Sequence, residues 1–181
     1  MSCGVNTQNK LLLTKLMEYY NKDDNIEKIL PIINGEHSIS LRLVDWFITN
    51  YSKKYFTQYL IGENKRFKVY IDYKLKLKAY SKKRFDPFCR WDRITIPYND
   101  KESIQTTLGQ LNFFKWVLEN NIIEYIQKNL DDIERDMNKR SSSSKNRKNQ
   151  NNNTRKKRTE LSVCAAKSIK KEHVEISVCF N

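Results

Sequence analysis

Between Ser141 and Arg158 the chain reads SSSSKNRKNQNNNTRKKR, a run without one aliphatic or aromatic side chain. Such a run has nothing to bury, so it cannot offset the conformational entropy lost on ordering, and alone it is expected to be disordered. The core is therefore confined to what comes before it. Of the 181 residues, 39% are hydrophobic, enough for one ordinary core. Residues 1–37 are read as a helical N-terminal extension, 38–138 as a globular α+β domain, 139–159 as a disordered basic linker and 160–181 as a weakly ordered appendix.

Apolar periodicity sketches the body. Leu12, Leu13, Leu16, Met17 and Tyr20 recur at helical spacing, and Asp23 and Asp24 precede NIEKIL, a short helix that Pro31 should stop. Asn34 and Gly35 mark a turn. Ser38 is placed to cap the next helix, whose stripe reads Ile39, Leu43, Val44, Phe47, Ile48 and Tyr51. From Phe67 the period changes to two through Val69, Ile71 and Tyr73, a strand bounded by Gly62 and Asn64, with a switch to helix near Lys74 that Asp86 and Pro87 end. RITIP is a second short strand. Ser103 is expected to open a helix carrying Ile104, Leu108, Leu111, Phe114, Val117 and Leu118 as far as Asn120. A further helix holds Ile122, Ile123, Ile126, Leu130, Ile133 and Met137, and its acidity favours a packing hairpin over a DNA-reading helix-turn-helix. In the appendix Val174, Ile176, Val178 and Phe180 alternate as in a strand. The expected fold is a compact α+β domain, mostly helical with a small sheet, followed by a disordered basic tail.

Charge is distributed in blocks. The formal net charge is +13. Residues 65–93 hold eleven Lys or Arg against three acids, and residues 139–158 hold nine cations and no acid. This pattern attracts phosphate polymers. The stretch KAYSKKRFDPFCRWDR combines the cations with aromatic rings: Lys and Arg neutralise phosphates, while Tyr80, Phe88 or Trp91 can stack on unpaired bases. Buried aromatics dominate small cores, so core is the preferred reading for Phe85, Phe88 and Trp91, and binding for the cations. The candidate nucleic-acid contacts are Lys74, Lys78, Lys82, Lys83, Arg84, Arg90 and Arg93 in the body and Arg155, Lys156, Lys157 and Arg158 in the tail. The tail also fits a split nuclear import signal or a solubilising spacer. An acidic face, Glu124, Asp131, Asp132, Glu134 and Asp136, could dock a basic protein partner while the basic face holds nucleic acid.

Three segments in order, LRLVDWFITNYSKK, FKVYIDYKLKLKAYSKKRFDPFCRW and TTLGQLNFFKWVLENNIIEYI, resemble a small uncharacterised family of nucleocytoplasmic large DNA viruses of the mimivirus and phycodnavirus kind. Its most specific blocks are Asp86 to Arg90 and Gln110 to Phe114, and the family pattern has a basic residue where this chain has Trp91. The resemblance implies a viral context and no catalytic residue. An AT-rich genome would also raise the Asn, Ile and Lys content, but it does not account for the arginines or for the absence of acids from 139–158.

Chemistry finds little support. Asp45, Asp72, Asp86, Asp92 and Asp100 show no paired-carboxylate motif, which leaves a metal-dependent nuclease as the least disfavoured enzyme. A Cys89 nucleophile would gain from Arg84 and Arg90 nearby, yet only His37 and His173 offer an imidazole. Cys164, His173 and Cys179 fall one ligand short of a zinc site, and the four glycines form no phosphate loop. No cofactor or metal is expected. No apolar run approaches the ~20 residues that span a bilayer, no secretory leader is legible, and Lys74 to Lys83 give no wide apolar face for a membrane surface. The sequence thus predicts a non-catalytic nucleic-acid-binding accessory protein of a large DNA virus, in transcription or genome packaging. It would act inside the host cell, in a cytoplasmic virus factory or the nucleus, or in the virion. The alternative is a viral adaptor or structural protein whose tail is an import signal or spacer.

Overall fold

The computed structural model describes residues 7–22, 25–62, 65–99, 102–150 and 171–173. The first helix, α1 (Thr7–Tyr20), buries Leu16 and Tyr20 and leads into α2 (Asn25–Asn34). Pro31 does not end α2, contrary to expectation. It removes one backbone bond, a loss of about 3 kcal/mol, but Ile29, Leu30, Ile32 and Ile33 around it are all buried. Packing of that face keeps the turn, and the Pro31 carbonyl then accepts the N–H groups of Glu36 and His37 at 2.8 and 3.1 Å. Gly35, at φ +76°, reverses the chain.

The cap of α3 (Leu41–Trp46) is Ser40 rather than Ser38, and its hydroxyl accepts the Leu43 N–H at 3.2 Å. A π-helical turn (Phe47–Tyr51) and the short α4 (Ser52–Lys54) continue this helix. Ile39, Leu43, Val44, Phe47 and Ile48 are buried as the stripe predicts.

Two strands, β1 (Gln58–Ile61) and β2 (Lys65–Lys68), pair antiparallel in a hairpin, with Gly62 at φ +63° in the turn. The switch to helix comes at Val69, five residues before the predicted point, opening α5 (Val69–Arg84). Val69 and Tyr73 lie one turn apart and are buried, whereas Ile71 is 54% exposed; a strand through Tyr73 would have put all three on one face. Helical spacing and alternation both fitted these residues, and the face turned to the core decides between them. Within α5 the backbone breaks at Ser81 (φ 62°, ψ 166°), a region that almost only glycine occupies.

The second sheet runs in the order β3–β4–β5: β3 (Arg93–Asn99), β4 (Glu102–Thr107) and β5 (Lys171–His173), all antiparallel. Here the expected helix from Ser103 gives way to a strand. Ile104 and Thr106 point inward two residues apart, and Ile104 pairs with the buried Ile96 across the ladder. Ile104, Leu108 and Leu111 sit at helical intervals by coincidence of a strand running straight into a helix. Thr107 caps that helix, α6 (Leu108–Glu119), by accepting the Gln110 N–H at 3.1 Å. The Val174 to Phe180 alternation lies outside the described residues.

The centre of the fold is α6. Eight of its twelve residues are buried, so it is covered nearly all round, as a helix inside a core must be. The Tyr20 hydroxyl donates to the Leu111 carbonyl at 2.7 Å, the Trp116 indole to Asp72 at 2.6 Å, and the Tyr59 hydroxyl to the Asn120 carbonyl at 2.7 Å. These bonds fix α1, α5 and β1 against it. Past Asn121, in the left-handed region at φ 52°, the single helix expected over Ile122 to Met137 is two: α7 (Ile122–Lys128) and α8 (Leu130–Gln150), divided at Asn129. Ile133 is fully buried, and α8 continues into the apolar-free segment as far as Gln150, since extending a nucleated helix costs far less than starting one. Residues 151–170, the later part of the basic segment, lie outside the described residues. No described helix is long and apolar enough to cross a membrane.

One contact sets the geometry around residues 83–88. A Cβ on Gly109 would stand 2.9 Å from the Lys83 carbonyl oxygen and 3.3 Å from the Phe85 nitrogen, so α6 and this segment touch backbone to backbone. The Asp86 N–H donates to the Gly109 carbonyl at 3.2 Å. Beside it, the fully buried Gln110 donates its amide to the Pro87 carbonyl at 2.9 Å and accepts the Thr106 hydroxyl at 2.8 Å, and the Asn112 amide reaches the Arg84 carbonyl at 2.9 Å. Gly109→Ala is expected to cost about 1–3 kcal/mol in urea unfolding, whereas Ser81→Gly, by releasing strain, should gain about 1 kcal/mol. An unchanged midpoint for either variant would contradict the corresponding geometry.

Candidate nucleic-acid interface

Seven cations of the body are the sequence's candidate phosphate contacts. Lys74 and Lys78 lie exposed one turn apart on α5, on one row of the helix surface. The break at Ser81 then takes Lys82, Lys83 and Arg84 off the α5 axis. Lys82 approaches the carboxylates of Asp45 and Asp86, which Arg90 also faces. Lys83 and Arg84 turn toward α1: Lys83 pairs with Asp92 at 3.2 Å, and Arg84 donates to Gln8 at 3.2 Å. Arg93 donates to Gln105 across the β3–β4 ladder at 3.0 Å.

Arg90 has a structural task as well. Its guanidinium lies 3.4 Å from Asp86 and 4.5 Å from the centre of the Phe88 ring. Asp86 is buried and also accepts the Phe88 N–H at 3.4 Å. One face of Arg90 thus supports the loop while its edge stays in solvent.

The three aromatic residues of the loop separate. Phe85 and Phe88 are core, as expected: Phe85 packs on Tyr73, Phe113 and Trp116 at 5.3–6.0 Å between ring centres. Trp91 is not core; it is 43% exposed. Its loop is held from below by Gln110 and Asn112, which bond the carbonyls of Pro87 and Arg84. Trp91 borders a cleft of about 340 Å³ whose walls are Leu13 of α1, Ile94 of β3 and Leu108 of α6. Lys10, Lys83, Arg84 and Asp92 line the same cleft, with Asn9. Sequence reasoning missed the α1 side, Asn9, Lys10 and Leu13, because nothing local indicates which distant segment a helix face will meet.

Cys89 does not have the setting of a nucleophile. It is buried, and burial pushes its thiol up despite the attraction of Arg93, which is the arginine that influences it in place of the expected Arg84 and Arg90. Among the described residues no three His, Cys, Asp or Glu side chains gather in a way that could hold a metal ion. Asp72 is engaged by Trp116, Asp86 by Arg90 and Asp92 by Lys83, while Asp100 lies outside the described residues.

The acidic face is divided. Glu124, Asp131 and Asp132 are exposed, with Asp132 paired to Arg135 at 3.1 Å, and Glu134 is half-buried. Asp136 belongs to the fold, accepting from the Trp46 indole at 3.2 Å, from the Tyr55 hydroxyl at 3.3 Å and from Lys54. The tail candidates Arg155, Lys156, Lys157 and Arg158 lie outside the described residues.

Behind the basic loop, burial pushes the Asp45 carboxyl up to about 6, against the attraction of Arg90 and Lys82 and with a further push from Asp86. A carboxyl whose folded value exceeds its unfolded value of about 3.9 holds its proton more tightly in the folded state. Stability then falls as pH rises through that window, and the full penalty applies at neutrality. Asp45→Asn is therefore expected to raise the urea midpoint near neutral pH and to leave it unchanged at about pH 3, below the unfolded value; equal effects at both would contradict the burial of this charge.

A model of a family of unknown function, DUF7197, matches residues 5–179. The uncharacterized protein L507 of Acanthamoeba polyphaga mimivirus is 44% identical over 135 residues, which cover 70% of this chain and 52% of the relative. The chain thus spans about half the length of that relative. No solved structure matches it. A relative in a large DNA virus agrees with the resemblance carried by the sequence blocks, and the extent of the model match makes the conclusion plain: the chain belongs to the DUF7197 family of unknown function.

Proposed function

We propose that the protein binds nucleic acid without transforming it, as an accessory factor of a large DNA virus in transcription or genome packaging. The observation that carries this reading is the convergence of cations on one cleft. Lys10 from α1 and Lys83 and Arg84 from the end of α5 line the cavity that the exposed Trp91 borders, and Lys82, Arg90 and Arg93 belong to the same loop region. Cations close to an accessible aromatic ring are what a polynucleotide chain requires, because phosphate neutralisation releases counterions and the ring adds a sequence-tolerant contact. Arg155 to Arg158 supply a second, non-specific arm, whose tethering to the body raises its effective concentration at the same strand. The mimivirus relative supports the viral setting.

A second reading, a protein adaptor, is favoured by a different surface. Tyr55, Phe56, Leu60, Ile71 and Leu75 are all more than half exposed, Phe56 by 85%, and Phe56 sits at φ 50°, a conformation that bulky residues avoid. A groove of about 380 Å³ runs beside it, between Lys53, Tyr70 and Ile71.

Fluorescence anisotropy of the full chain against labelled DNA and RNA over a salt series distinguishes the two. The Lys82→Ala/Lys83→Ala/Arg84→Ala variant should bind every sequence more weakly, with a slope of log affinity on log salt smaller by about 2–3. An unchanged slope removes the patch from the interface, and absence of binding by the unaltered chain at low salt leaves the adaptor reading.

A further inference from the structure

We infer that the cleft beside Trp91 accepts one unpaired base of a single strand, so that the interface is built for single-stranded polynucleotide rather than duplex. The inference rests on the nucleic-acid reading and narrows its ligand. A tryptophan left 43% exposed on a loop fixed by hydrogen bonds to Pro87 and Arg84 is a flat surface that the described residues leave partly open. The cavity it borders, about 340 Å³, lies at the small end of the ~300–1,000 Å³ range of ligand sites and is too confined for a duplex. Its walls include the apolar side chains of Leu13, Ile94 and Leu108 with Trp91, as a base face requires, and Lys10, Lys83 and Arg84 line the same cleft as cations for the backbone phosphates of that strand.

A further polar group fits the same occupant. Asn9 lines this cleft, and its side-chain oxygen is buried without a hydrogen-bond partner. Buried acceptors are almost always satisfied, and an unsatisfied one beside a cavity calls for a donor from outside. Every nucleobase carries N–H groups on its edge when it is out of a duplex. Within a duplex the base faces are stacked on their neighbours, so Trp91 could not be served without extruding the base. Asp92 pairs with Lys83 at 3.2 Å, and both side chains are largely exposed, so a backbone phosphate has to displace this carboxylate to reach Lys83.

The test uses the full chain, unaltered and with Trp91→Ala or Trp91→Phe, against a labelled single-stranded oligonucleotide, the blunt duplex of the same sequence, and free thymidine monophosphate as competitor. The unaltered chain should prefer the single strand by at least about tenfold. Trp91→Ala should lose about 5- to 150-fold on the single strand, the range for one stacked base, with duplex affinity and its salt slope unchanged, and Trp91→Phe should recover most of the loss. Tryptophan emission quenched by the single strand should lose that response in Trp91→Phe, although Trp46 and Trp116 remain. Equal affinity for single strand and duplex with no effect of Trp91→Ala overturns the inference while leaving nucleic-acid binding standing. Binding of neither polymer overturns both. Competition by the free monophosphate as strong as that of the oligonucleotide makes the cleft a mononucleotide pocket and overturns the single-strand claim.

Discussion

Gln110 is fully buried on the central helix, and its side chain joins two elements that are distant in sequence: it gives its amide to the Pro87 carbonyl and takes the Thr106 hydroxyl. Buried amides of this kind are costly when unmet, each orphaned group losing about 1–3 kcal/mol, so their geometry is demanding. Asn112 repeats the arrangement on Arg84, and Gly109 removes the Cβ that would hold the backbones apart. The loop from residue 84 to 88 is thereby locked to α6 through its main chain. Its side chains are then sorted by the direction each one faces. Phe85 and Phe88 enter the core, Asp86 is buried against Arg90, and Trp91 together with the cations is left at the surface.

The same lock explains how a basic loop next to an aromatic core becomes a surface with shape. Lysines on a free loop would be a diffuse cloud of charge; here Lys83 and Arg84 are placed against α1 by Asp92 and Gln8, and a cleft opens between the two helices. The strain at Ser81 belongs to this arrangement. Beyond the break Lys82 exerts its charge on Asp45 and Asp86, while Lys83 pairs with Asp92 and Arg84 with Gln8, and strained backbone persists where the surrounding structure over-determines it.

Much of this was legible beforehand. The stripe from Ile39 to Tyr51 marks a core helix because only one period fits it, and the blocks DPFCR and QLNFF, which carry the family resemblance, are the two segments that the structure interlocks. Other features were ambiguous for physical reasons. Phe67 to Tyr73 satisfies strand and helix periods alike, and only the exposure of Ile71 separates them. Ile104 to Leu111 spans a strand-to-helix junction whose spacing imitates a single helix, with the capping Thr107 as the overlooked signal. Pro31 shows burial of a strongly apolar face prevailing over a local helix breaker. The cleft itself was invisible, since Asn9 and Lys10 lie more than seventy residues from Lys83 and only the packing of α1 on α6 brings them together.

The clamped loop and the start of α1 together are the surface proposed to contact a polynucleotide. Hydrogen–deuterium exchange of the full chain, free and saturated with a single-stranded oligonucleotide at low salt, tests it most directly. The account predicts slowed exchange in peptides covering residues 82–93 and the first turns of α1, with the acidic α7 and the first turn of α8 unaffected. Protection confined to α7 and α8, or to residues 155–158 alone, would contradict it.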